Sequence, residues 1–168
     1  MDPFTKSPAQ DAGAITLRPE TAADLAVLFA LYAGTRKQEL DLTGWDQATR
    51  QTFLQMQFHA QGIGYRQSFP RAEFSMILWS QTPVGRVVIN RAESEMLIVD
   101  LVLLPEFQNR GLGTRLMKTW LQEASQANRA VRLHVLRGCR SGRFYERLGF
   151  RQIEALPFHD YLEWRPPR

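Results

Sequence analysis

Residues 104–120 read LPEFQNRGLGTRLMKTW. In front of them lies EMLIVDLVLL (residues 95–104), a strand-like run apolar on both faces, as a central strand requires. Behind them Leu112, Leu116, Met117, Trp120, Leu121 and Ala124 recur at helical spacing and define one buried face. Between strand and helix, Gly111 and Gly113 leave the turn bare. The first amides of a helix have no internal partners, and the helix dipole adds partial positive charge there, so such a turn suits an anion, most naturally a phosphate. Glycine lets the ligand approach the backbone and admits positive φ. A tight strand-to-helix connection would use the same residues. Two nucleotide readings fail: Gly113 is followed by Thr114 and Arg115, without the lysine of a Walker loop, and the third position after Gly113 is Leu116, not the last glycine of a dinucleotide fingerprint.

Working outward, AITLRPE (residues 14–20) reads as a short strand ending at Pro19. Thr21 and Asp24 mark a helix start, and Leu25, Leu28, Phe29, Leu31 and Tyr32 carry its apolar stripe to about Gly34. A second helix spans roughly Asp46 to Tyr65 and closes with Gly62 and Gly64. EFSMILWS and VGRVVINRA form an antiparallel hairpin turned at Gln81, Thr82 and Pro83. After the glycine turn and its helix come a strand, AVRLHVL, a short helix, SGRFYERLG, ended by Gly149, and two strands, FRQIEA and HDYLEW. The alternation predicts an α/β (α+β) domain with a mixed central sheet flanked by helices. Residues 1–13 read as a loose arm opening with MDPFT, which resembles a cloning remnant, and residues 14–168 as a single domain.

The composition fits that expectation. The 168 residues are 44% hydrophobic and 23% charged, with no apolar run long enough to cross a bilayer. A cytoplasmic location is expected from the single cysteine, Cys139, and from an opening that does not read as a secretory signal. The formal charge of +4 comes mostly from arginine, since the only lysines are Lys6, Lys37 and Lys118. Arginines recur at 129, 132, 137, 140, 143, 147 and 151, but without interleaved aromatics or a nucleic-acid motif they read chiefly as solvated faces. Nucleic acid is therefore not an expected partner.

The glycine turn resembles the acyl-CoA loop of the GNAT acetyltransferases, whose pattern Gln/Arg-x-x-Gly-x-Gly/Ala is met by Gln108, Gly111 and Gly113. FYERLGF (residues 144–150) resembles the later segment of that family, a tyrosine near the start of a short helix with Gly-Phe at its end. The order of elements over about residues 14–165 fits as well. The resemblance implies a sheet splayed between EMLIVDLVLL and AVRLHVL, with acetyl-CoA as co-substrate in the split and no metal. Its pantetheine would pair with the main chain of Leu101, Val102 and Leu103, and its pyrophosphate would rest on the amides of Gln108, Asn109, Arg110, Gly111, Leu112, Gly113 and Thr114. One departure is plain: where the family commonly has an asparagine before the tyrosine, this chain has Gly138 and Cys139. Arg137, Arg140 or Arg143 are the candidates to replace that contact.

Acetyl transfer from a thioester to an amine needs a neutral amine, a donor for developing negative charge and a proton for the leaving thiolate. The resemblance places Tyr145 at the sulfur, whereas a core reading makes it an aromatic beside Phe144 and Leu148. Asp100 is the one charge inside EMLIVDLVLL beyond its opening Glu95, so it either faces a cavity and can act as base, or is held by structural hydrogen bonds. His134, on the adjoining strand, is a second candidate base. Cys139 as an acyl-accepting nucleophile lacks an evident activating partner. In related folds the segment between the first two helices, here GTRKQELDLTGW, walls the acceptor cleft, which makes Arg36, Glu39 and Trp45 candidate substrate contacts.

The favoured expectation is thus an N-acetyltransferase moving acetyl directly onto a primary amine of a small molecule or peptide, with a homodimer left open. Two other classes stand beside it: a non-catalytic acyl-CoA-binding module, and a basic domain that binds a partner or nucleic acid.

Overall fold

The computed structural model describes residues 13–167. The arm, apart from Gly13, lies outside the described residues, as does the MDPFT opening. Among the described residues, seven strands form one sheet in the order β1-β2-β3-β4-β5-β7-β6: β1 Ile15–Pro19, β2 Glu73–Trp79, β3 Thr82–Arg91, β4 Glu95–Leu103, β5 Ala130–Leu136, β6 Arg151–Ala155 and β7 His159–Trp164. Every neighbouring pair is antiparallel except β4 and β5, which run parallel. The parallel pair is joined by α3 (Leu112–Gln126), as a parallel crossover requires. Helices α1 (Leu25–Asp41) and α2 (Gln47–Ser68) precede β2, and α4 (Arg140–Arg147) follows β5.

All six apolar residues expected on one face of α3 are buried, and they pack with Met96, Ile98, Val131, Leu133, Val135, Tyr145 and Phe150 in the main core. Other buried clusters, Leu28 with Met76 and Leu78, and Tyr32 with Leu40 and Leu54, link α1 to β2 and to α2. The central strands are thus covered on both faces, whereas the edge strand β6 is exposed throughout.

Three boundaries differ from the sequence expectation, each for a local reason. Helix α1 runs through Gly34 to Asp41, because Leu40 is buried and the pairs Arg36–Glu39 and Lys37–Asp41 brace its last turns. Helix α2 starts at the Asp46 cap, whose carboxylate accepts from the Thr49 amide at 2.8 Å, and continues through Gly62 and Gly64 to Ser68. The hairpin turns at Ser80 and Gln81, both at positive φ, so Thr82 and Pro83 belong to β3.

The feature that positions the site is the short pairing of β4 with β5. Only Glu95–Ile98 face Ala130–Leu133. Beyond Ile98, β4 pairs only with β3, through Asp100 to Leu103, and β5 pairs only with β7, through His134 to Leu136. At that parting the β3–β4 register slips by one residue, leaving Val99 as a bulge between Ile98 and Asp100. Side chains alternate along a strand, so the extra residue exchanges faces. Met96 and Ile98 point to the α3 core before the bulge and Leu101 and Leu103 pack on it afterwards, while Asp100 and Val102 face α1 and α2.

Strand β1 is tied to the start of α1 by a buried carboxylate. Asp24 accepts from Arg18 at 2.6 and 2.7 Å, from the Thr21 amide at 2.8 Å and from its hydroxyl at 2.9 Å. The Arg18 hydrogen bonds, helped by those of Thr21, hold the Asp24 carboxyl well below the usual carboxylate range. A native pKa below the unfolded value means stabilisation that is complete above the unfolded pKa and lost as pH falls toward the native one. Asp24→Asn should therefore be less stable than the parent at pH 7, with the gap in urea midpoint narrowing progressively below about pH 4. A gap independent of pH would assign the effect to packing.

Candidate active site

Beyond β4, Pro105–Phe107 makes one 3₁₀ turn and the chain reaches α3 through Asn109 and Gly111, both at positive φ. Gln108 anchors this loop by donating from its side-chain amide to the Leu103 carbonyl at 2.8 Å. Arg110 lies 5.4 Å over the Phe107 ring. The first intrahelical bond runs from the Arg115 amide to the Gly111 carbonyl at 3.0 Å, so the amides of Leu112, Gly113 and Thr114 have no intrahelical acceptor.

The two glycines differ in why they are bare. Gly111 needs its left-handed φ of 81°, whereas a Cβ added there meets nothing within 4 Å. Gly113 has ordinary helical backbone, and a Cβ would meet only Phe144 Cζ, at an unstrained 3.5 Å. Neither backbone conformation nor packing within the protein demands glycine at 113. A phosphate resting on these amides would demand a very small residue there, so the cradle fits the pyrophosphate of CoA.

Tyr145 and Asp100 approach the parting of β4 and β5 from opposite faces of the sheet. Tyr145, 9% exposed, is held edge-on by Phe144 at 5.0 Å and Phe150 at 5.6 Å. Burial, with smaller contributions from Asp100 and Cys139, pushes its hydroxyl up to about 12. Asp100, whose side chain is 23% exposed, borders a small cavity lined by Tyr32, Thr35, Gln61, Arg86 and Val102. Burial pushes its carboxyl up to about 6, against the opposing pull of Arg86.

Sequence reading missed the charges behind Asp100. Arg86 Nη1 lies 3.6 Å from Asp100 Oδ2, and Arg86 Nε lies 2.7 Å from Glu20 Oε1. Arg66 reaches Glu20 from α2 at 3.4 Å. Glu20, Arg66 and Arg86 also border a neighbouring pocket of about 230 Å³ walled by Leu25, Leu28, Phe58 and Ile63. The available signal was Arg86 itself, a lone charge within VGRVVIN, as Asp100 is within MLIVDLVL.

The remaining candidates sit elsewhere. His134 is solvent-exposed, stacked on Tyr161 at 4.3 Å, and partial burial with help from His159 lowers its pKa. Arg36 and Glu39 lie on α1, not in a connecting loop, and pair with each other at 3.1 Å, Arg36 also lying 5.6 Å over Tyr32. Trp45 lies between the helices, edge-on to Phe53 at 5.2 Å. Arg137 is engaged by Asp160 at 3.1 Å and by the Leu156 carbonyl, whereas Arg140 and Arg143 are exposed on α4. Cys139 precedes α4 as its N-cap.

Residues 37–166 match the family described as an acetyltransferase (GNAT) domain. Among solved structures, the chain is similar to the PaiA N-acetyltransferase of Thermoplasma acidophilum in complex with coenzyme A, at 18% identity and a TM-score of 0.66 over 90% of this chain and 99% of that one. It is also similar to Ard1 of Thermoplasma volcanium, at 19% identity and 0.63 over 92% and 99%, and to the N-acetyltransferase PseH of Campylobacter jejuni, at 12% and 0.58 over 91% and 99%. A sequence comparison with curated proteins returns no significant match. With a sheet that parts between β4 and β5 and a bare turn opening α3, the chain belongs to the GNAT acetyltransferases, enzymes that use acetyl-CoA.

Gly113→Val separates fold from ligand. Its Cβ has room in the protein, so the ligand-free melting temperature should change only modestly. Coenzyme A affinity by calorimetry should fall about tenfold or more, because a charge-assisted phosphate contact is worth ~1.5–3 kcal/mol. Unchanged affinity would remove Gly113 from the phosphate cradle.

Proposed function

We propose that this acetyltransferase moves the acetyl group of acetyl-CoA directly onto a primary amine of a small molecule or peptide, with Asp100 as base and Tyr145 as acid. The observation that carries the reading is their placement on opposite faces of the sheet where β4 and β5 part. Bound acetyl-CoA supplies an activated acetyl thioester. The amides of Leu112, Gly113 and Thr114 hold its phosphates, and the β4 main chain from Leu101, freed from β5, orients its pantetheine arm. Leu103 contributes less than the sequence suggests, since its carbonyl already accepts from Gln108.

Asp100 takes the proton that the amine must lose as its nitrogen bonds to the acetyl carbon. With its pKa pushed up to about 6, the carboxylate is ionised at neutral pH yet more basic than an exposed aspartate. Tyr145 donates its hydroxyl proton to the sulfur as the carbon–sulfur bond breaks and recovers it from solvent. Held up to about 12, it stays protonated throughout the working range. No acyl-enzyme is needed, and Cys139 has no part in transfer. Arg36, Glu39 and Trp45 flank the approach of the acceptor along α1 and the α1–α2 connection.

A screen of amines reading released thiol identifies a usable acceptor. With a weakly basic amine, neutral over the range studied, kcat/KM should rise with pH through about 6 as Asp100 ionises. Tyr145→Phe keeps the ring and should lower kcat by ~10²–10⁴, with acetyl-CoA affinity nearly unchanged. Asp100→Asn should lose both that order of rate and the acid limb. Full activity of the phenylalanine variant, where chemistry limits the rate, would eliminate Tyr145; an intact acid limb in the asparagine variant would eliminate Asp100.

A further inference from the structure

The proposed base is not alone with its cavity. Behind it a single guanidinium, Arg86 of β3, stands between two carboxylates, 2.7 Å from Glu20 and 3.6 Å from Asp100. The side chains of Glu20 and Arg86 are 5% and 7% exposed, so water screens them little. Glu20 Oε1 and Arg86 Nε approach closely but make no aligned hydrogen bond, so the contact between them is one of charge. Phe74 and Tyr65 flank the guanidinium, their ring centroids 5.8 and 5.7 Å away.

We propose that Arg86 is a positioning residue shared by Glu20 and Asp100, and that Glu20, remote from the reacting atoms, sets the basicity of Asp100 by competing for that one guanidinium. The inference rests on the reading of Asp100 as base. If Glu20 were absent, Arg86 would serve Asp100 alone and its carboxylate would be a weaker base. If Arg86 were absent, the buried Glu20 carboxylate would act on Asp100 with no cation between them, and Asp100 would be driven toward its protonated form. The other groups around Asp100 do not substitute for this pair. Tyr65 of α2 and Tyr145 of α4 are each pushed up to about 12, chiefly by burial, and stay neutral, and Arg36 of α1 is engaged with Glu39. Arg66 reaches Glu20 rather than Asp100 and is largely exposed. The opposing influences on Asp100 agree in sign: Arg86 lowers its pKa and Glu20 raises it.

Carbon-13 NMR of aspartate carboxyls, with Asp100 assigned through Asp100→Asn, reads its ionisation without substrate. Glu20→Gln should lower the Asp100 pKa by about one unit, the ordinary effect of a nearby charge, and carry the acid limb of kcat/KM down with it. Arg86→Gln should move both the other way. A purely structural role for the pair predicts lost stability or lower kcat with neither value displaced. If Arg86→Gln does not fold, Glu20→Gln decides: an unshifted or raised Asp100 pKa overturns the proposal. Should the carboxyl resonance shift as expected while the acid limb stays in place, the relay stands and Asp100 falls as base.

Discussion

The site depends on one extra residue in one strand. Without the bulge at Val99, Asp100 would share the face of Met96 and Ile98 and point into the apolar core against α3, an uncompensated charge costing several kcal/mol. With it, the carboxylate turns toward α1 and α2, where Arg86 and a polar cavity receive it. The bulge lies where β4 leaves β5, and bulges increase local twist and bend the strand that carries them. One irregularity is thus associated with both requirements of the proposed chemistry, an opening in the sheet and a carboxylate facing it.

Parting two strands in the middle of a sheet is costly, since it leaves main-chain amides and carbonyls without ladder partners. The neighbours limit that cost. Strand β4 keeps its pairing with β3 as far as Leu103, and β5 keeps β7 as far as Leu136. Arg132 bridges Glu95 and Glu163 at 2.6 and 2.8 Å, linking β4, β5 and β7 near the closed end of the split. Each flank is therefore supported from its outer side, and the opening stays confined to the ends nearest α3 and α4.

The sequence was most legible where a residue's type leaves little choice. Six apolar positions at helical spacing placed α3, and the glycines at 111 and 113 placed its bare entrance, because backbone freedom and close approach are properties of glycine itself. It was less legible where tertiary contacts override a local signal. Gly34, Gly62 and Gly64 read as helix ends, yet burial of Leu40 and charge pairs on α1 carry the first helix on, and α2 passes through both its glycines. That moved Arg36 and Glu39 from a loop onto a helix. Asp100 could be singled out as a charge in an apolar strand, but its face could not, since a bulge has no fixed composition. Glu20 and Arg86 stand far apart in sequence and are joined only through strand pairing. Their relation is a property of topology.

Burial acts on the two proposed catalytic groups in the same direction and yields opposite chemical roles. A carboxyl starts near 4 and a phenol near 10, so moving each upward by about two units leaves the first below neutrality and the second far above it. Asp100, at about 6, remains an anion able to accept a proton, and Tyr145, at about 12, remains neutral and able to give one. A fully exposed aspartate would be a poorer base, and one buried without Arg86 would tend to hold its proton at neutral pH. The split therefore has to be dry enough to raise both groups while keeping one cation beside the carboxylate. That cation is Arg86, which comes from the neighbouring strand β3 and lines the same cavity as the carboxylate.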